Sequence, residues 1–89
     1  MMLQKVKDGL RVTHSALDGE ILDLIEACKM DLKISGVVKI EETDPLIIRA
    51  IVVYCKANFG FDNVASDKFQ ESYRLLKNHL ALCGDYNAL

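Results

Sequence analysis

Asp44-Pro45-Leu46-Ile47-Ile48-Arg49-Ala50-Ile51-Val52-Val53-Tyr54-Cys55-Lys56-Ala57-Asn58-Phe59-Gly60 is the stretch on which the fold turns. Asp before Pro is a helix start: the carboxylate can cap the first turn, and Pro loses nothing at the first helical position. From Leu46 to Phe59 the run is apolar almost all round, with Arg49 and Lys56 its only charges. The same Ile-Val-Val-Tyr composition would suit a buried strand. The Asp-Pro start, the length and the Gly60 stop favour a helix. A helix without a polar face belongs at the centre of a domain.

Its neighbours read as amphipathic partners. Leu3, Val6 and Leu10 share one face of a short first helix, which Gly9 weakens. Val12-Thr13-His14-Ser15 reads as a break, with Thr13 or Ser15 available to cap the next helix. A second helix is predicted over about 16–35. Leu17, Ile21, Leu24, Cys28 and Leu32 form its stripe, Leu22 and Ile25 widen it, and Gly36 stops it. Val37-Val38-Lys39-Ile40 is a short extended link, followed by polar Glu41-Glu42-Thr43. After a turn at Phe61-Asp62-Asn63, with Asn63 or Ser66 as cap, a fourth helix is predicted over about 64–83. Phe69, Tyr73, Leu76, Leu80 and Cys83 form its stripe, Leu75 and Leu82 flank them, and Gly84 ends it. The tail 85–89 reads as loose. The expected fold is all-α: one domain over 1–89, a bundle of about four helices with the first one short.

Composition limits function. The chain has 89 residues, 51% of them hydrophobic, and 11 basic against 13 acidic side chains. A chain this short leaves no room for a two-domain enzyme. Its slightly acidic balance argues against a general nucleic-acid binder. The N-terminal stretch lacks the continuous apolar core of a secretory signal, and the apolar run at 46–55 is too short to span a bilayer. Cys28, Cys55 and Cys83 are far apart and odd in number, so they read as small buried hydrophobes in a reducing compartment. The expectation is a soluble intracellular protein.

Chemistry is sparse. His79 and Cys83 stand four apart on one helix face, but two ligands do not make a metal site. His14, with Ser15 and Asp18 nearby, reads as a loop histidine rather than an acid–base group. No catalytic, cofactor-binding or metal-binding residue is assigned, and no enzyme activity is expected. A DNA-binding helix-turn-helix would use Lys68, Gln70, Arg74, Lys77 and Asn78, but Asp67 and Glu71 interrupt that face. Acidic Asp18, Glu20, Asp23, Glu26 and Asp31 read as a solvated face.

The order of segments carries a resemblance. Val6-Lys7-Asp8-Gly9-Leu10-Arg11-Val12 is followed by Leu17-Asp18-Gly19-Glu20-Ile21 and Asp23-Leu24-Ile25-Glu26-Ala27-Cys28-Lys29. Then come Asp44-Pro45-Leu46-Ile47-Ile48-Arg49-Ala50-Ile51, Tyr54 to Gly60, and Phe69-Gln70-Glu71-Ser72-Tyr73. Over nearly its whole length the chain resembles the small head–tail connector (adaptor) family of tailed bacteriophages and prophages, often labelled DNA-packaging proteins. It departs in placing Cys28 and Cys55 at small-residue positions and in its compact C-terminal tail.

The resemblance implies a helical bundle and a homo-oligomeric ring, matching the portal's twelve-fold symmetry. The ring would dock on the portal protein, extend the DNA channel and receive a head-completion or tail protein. DNA would pass through without sequence-specific binding, and no catalytic residues carry over. The protein would lie in the host cytoplasm during assembly and at the virion head–tail junction afterwards. In such a ring part of the acidic surface (Glu20, Asp23, Asp31) would lie on an exposed or channel-facing side, although solubility alone explains it. The alternative is a small helical DNA-binding regulator.

Overall fold

A computed structural model describes residues 2–59 and 65–87. The chain runs through α1 (Met2–Leu10), α2 (Asp18–Ile34), α3 (Pro45–Asn58), α4 (Ser66–Leu82) and a single turn, α5 (Gly84–Asn87). There is no strand among the described residues. The all-α bundle is as the hydrophobic spacing requires, and the α-carbon radius of gyration is 12.7 Å.

α3 is the hub. Asp44 Oδ1 accepts a hydrogen bond from the Leu46 amide at 2.8 Å, and Pro45 occupies the first turn. α1, α2 and α4 all pack on this helix. Ile47, Ala50, Ile51, Val53, Cys55 and Ala57 are buried along it. All but Ala57 meet Val6 of α1, Ile21, Ile25, Cys28 and Leu32 of α2, and Tyr73 and Leu80 of α4 in one core. The link after α2 is not passive, because Val37 is fully buried.

Two helices end in the same device. After α2 the Val37 amide bonds the Leu32 carbonyl and the Gly36 amide bonds that of Lys33. Gly36 takes the left-handed conformation this motif requires, at φ 104°. After α1 the Val12 amide bonds Lys7 and the Arg11 amide bonds Asp8, but the left-handed residue is Arg11, at φ 59°. A side chain there costs energy that glycine avoids.

Gly9 has a role beyond weakening its helix. A Cβ at this position would stand 2.8 Å from Val52 Cγ1, so glycine sets the close approach of α1 to α3. α1 is also tied to α2: Lys7, buried in α1, stands 2.8 Å from Asp18 Oδ1.

Several expectations need correction. α2 starts at Asp18 with Leu17 as its cap residue, and no side chain caps it, so neither Thr13 nor Ser15 serves. α4 starts at Ser66 rather than being capped by it; the Ser66 hydroxyl donates to the Ala57 carbonyl at 2.8 Å, tying α4 back to α3. α4 does stop just before Gly84, with Cys83 as its cap residue, but the tail is not loose, because Gly84 begins α5. α5 is strapped to the link: the Val38 and Lys39 amides both donate to the Tyr86 carbonyl. The Tyr86 hydroxyl donates to Asp44 Oδ2 at 2.8 Å. The tail is therefore held through residue 87. Leu22, Leu75 and Leu82 do not widen the core stripes but lie exposed. Cys83 is half-buried, unlike Cys28 and Cys55. The turn at 61–63, the Gly60 stop and the Asn63 cap lie outside the described residues.

Candidate assembly surface

A polar cluster links side chains of α4 and α2. Tyr73 packs its ring edge-on to Tyr54, with centroids 5.0 Å apart, and lies buried against the core. Its hydroxyl donates to Asp31 Oδ2 at 2.7 Å and lies 3.7 Å from Cys28 Sγ. Lys77 Nζ reaches the same carboxylate oxygen at 3.2 Å and lies over the Tyr73 ring. Burial, with the carboxylate and thiol beside it, drives the Tyr73 hydroxyl far above the ordinary phenol range. Burial likewise pushes the Cys28 and Cys55 thiols up to about 12, so both stay neutral and act as packing groups.

An open groove of about 460 Å³ runs beside this cluster, between Tyr54 and Asn58 of α3 and Gln70 and Arg74 of α4. Both of its cations, Arg74 and Lys77, are paired with carboxylates. Arg74 grips Glu71 with two bonds, at 2.5 and 3.0 Å, and Lys77 holds Asp31. Gln70 donates to the Asn58 side chain at 3.3 Å. The fourth helix thus turns two of its three cations toward carboxylates of the same chain, which removes most of the basic face a DNA-reading helix would need.

The other residues singled out by sequence are not brought together. His14 lies exposed in the α1–α2 connection and His79 lies exposed on α4, while Cys83 is half-buried. Among the described residues no three metal-ligating side chains cluster. The acidic face of α2 also shrinks. Asp18 pairs with Lys7, and Asp31, which the sequence placed on an exposed side, is engaged by Tyr73 and Lys77. Glu20, Asp23 and Glu26 remain outside these pairs. Lys29 pairs with Glu42 across the link.

What the surface does carry is hydrophobic. Met30 and Ile34 on α2, and Leu75 and Leu82 on α4, are 60%, 79%, 56% and 85% exposed. They lie on the sides of their helices away from α3. Sequence reading assigned Leu75 and Leu82 to the flanks of the core stripe. The signal it missed is their seven-residue spacing, which sets a second stripe opposite the first.

Three helices packed on an apolar hub, with a largely paired polar groove and bare apolar side chains outside, define a small helical bundle. A family profile described as phage connector protein matches residues 2–87, and the chain belongs to that family. Its role is that of a phage connector. No curated protein and no solved structure matches the chain.

Proposed function

We propose that the protein is the repeated subunit of a head–tail connector ring. The ring docks on the portal protein, extends the DNA channel and receives the next head-completion or tail protein. The family match over residues 2–87 carries this reading. Twelve copies match the portal's symmetry, and the whole chain acts as one block. The subunit is structural, with no catalytic, cofactor or metal residue assigned. It assembles in the host cytoplasm and ends at the head–tail junction of the virion.

The physical features support it. A ring needs two different contact faces that close by rotation, and the bundle carries separate exposed apolar stripes on α2 and α4. A channel through which DNA slides should not grip phosphates, and the chain's net charge is −2. Exposed Glu20 and Glu26 suit either the channel lining or plain solubility. No helix among the described residues is long and apolar enough to cross a membrane. The competing DNA-binding regulator is disfavoured because Arg74 and Lys77 are held by Glu71 and Asp31.

Electron microscopy of the purified protein mixed with its cognate portal tests the reading. A ring of this protein stacked on the portal ring is the expected result. Absence of any complex under assembly conditions would reject it, and so would sequence-specific DNA binding with a steep salt dependence.

A further inference from the structure

We infer that the subunit–subunit contact is made by the outer face of α2 in one copy and the outer face of α4 in the next, with the two helices parallel. The inference rests on the ring reading above and adds the faces, their direction and their register.

At 100° per residue, Asp23, Met30 and Ile34 fall within an arc of about 40° on α2, and Lys68, Leu75 and Leu82 within an arc of about 40° on α4. Both arcs lie opposite the stripes that pack on α3: Ile21, Ile25, Cys28 and Leu32 in one helix, Tyr73 and Leu80 in the other. Single exposed apolar side chains are ordinary, but aligned ones on one face mark a contact.

The two stripes are matched rather than alike. On α2 an acidic side chain precedes the first apolar one by seven residues, Asp23 to Met30; on α4 a basic one does so, Lys68 to Leu75. Neither Asp23 nor Lys68 has a partner among the described residues. Laid parallel with Met30 against Leu75, the helices set Asp23 against Lys68. Ile34, four residues on, then falls in the gap between Leu75 and Leu82. The antiparallel arrangement with the same Met30–Leu75 pair sets Asp23 against apolar Leu82 instead and leaves Lys68 unmatched. Two α2 faces meeting by a two-fold axis would offer Asp23 no cation, because that stripe carries only Asp23, Met30 and Ile34. The complementarity is therefore heterologous, as a closed ring requires. A standard contact covers roughly 800 Å² per partner, about one-seventh of the 5691 Å² surface. Two such contacts leave most of the surface for the portal and the tail side.

Cross-linking tests the pairing. In a Cys83→Ser background, Met30→Cys and Leu75→Cys are made as separate variants, mixed, and treated with a short bis-maleimide. This is done both free at high concentration and on the portal ring. The mixed product is expected at about tenfold or more over a Met30→Cys with Lys5→Cys control, because contact makes the second reaction effectively intramolecular. Asp23→Lys and Lys68→Asp should each abolish the ring, and together restore it. No excess of mixed product in either setting overturns the pairing, as does a dominant Met30→Cys homodimer. Rings of unmodified protein on the portal without the mixed product reject the faces and leave the connector reading standing. Mixed product from free protein without any portal complex does the reverse.

Discussion

Replacing Tyr73 with Phe isolates the polar link between α4 and α2. The ring stays where it is, edge-on to Tyr54 and under Lys77. Only the hydroxyl leaves, and with it a 2.7 Å bond to Asp31 and a weak 3.7 Å contact with the Cys28 thiol. A hydrogen bond to a charged group is worth about 1.5–3 kcal/mol. Asp31 keeps Lys77 at 3.2 Å, and its side chain is 37% exposed, so the carboxylate is not stranded. The loss should therefore sit at the low end, about 1–2 kcal/mol. For a domain of this size that lowers the Tm by roughly 5–15 °C. Urea and thermal unfolding followed by circular dichroism would measure it. Tyr73→Ala also removes the buried ring and should cost about 3–5 kcal/mol, a large part of the total stability of such a domain. A double-mutant cycle of Tyr73→Phe with Asp31→Ala should show a coupling of about 1 kcal/mol. Wild-type stability in Tyr73→Phe, or strict additivity in the cycle, would refute the claim that this bond holds α4 to α2.

Other outcomes rest on the same geometry. Gly9→Ala gains about 1 kcal/mol of helix propensity but drives a methyl into the stiff Val52 side chain, at a cost of about 1–3 kcal/mol. Chemical denaturation should show a net loss, recovered when Val52→Ala is added. Arg11→Gly relieves the left-handed backbone and should raise stability by about 0.5–1 kcal/mol in the same assay. The Cys28 and Cys55 thiols rise from about 9 when unfolded to about 12 when folded. Their contribution is complete below pH 9 and is lost as pH rises, by about 1.4 kcal/mol per thiol per pH unit. Stability measured from pH 7 to 11 should be flat and then fall, and Cys55→Ala should make the fall shallower. At the acid end, the Tyr86 hydroxyl and the Leu46 amide hold the Asp44 carboxyl below its usual range. That stabilisation is present above about pH 4 and disappears as pH falls through the lowered value, so the Tyr86 strap should loosen in acid before the core unfolds. Tyr86 ring resonances in NMR would report it, and Tyr86→Phe should remove the transition.

The helices were legible because their signals are local. Asp44-Pro45 names its own cap, Gly36 its own terminator, and the apolar stripes of α2 and α4 their own buried faces. What was hidden depends on groups distant in sequence. Asp31 looked like one more surface carboxylate because nothing near it in the chain reveals Tyr73 or Lys77, more than 40 residues away. Gly9 looked like a helix defect because its reason is Val52. The tail looked loose because α5 has no buried side chain of its own. It is held instead by Tyr86, which reaches back to the cap of α3.

The surface was the least legible part, and the reason bears on function. Spacing alone does not say how wide a stripe is. Leu75 and Leu82 stand two residues from Tyr73 and Leu80, about 160° round the helix from them, so they found a second stripe rather than widen the first. Ile47, Ala50, Ile51, Val53 and Cys55 meet the inner faces of α2 and α4, and the outer leucines face away from them into solvent. A chain that is 51% hydrophobic and built on an all-round apolar hub therefore places large apolar side chains in solvent. Exposed apolar surface of this kind gains from association in proportion to the area it removes from water. On a lone protein the outer stripes would be only an aggregation hazard. With Asp23 and Lys68 setting register and sign, they become a contact that selects one partner face and one direction.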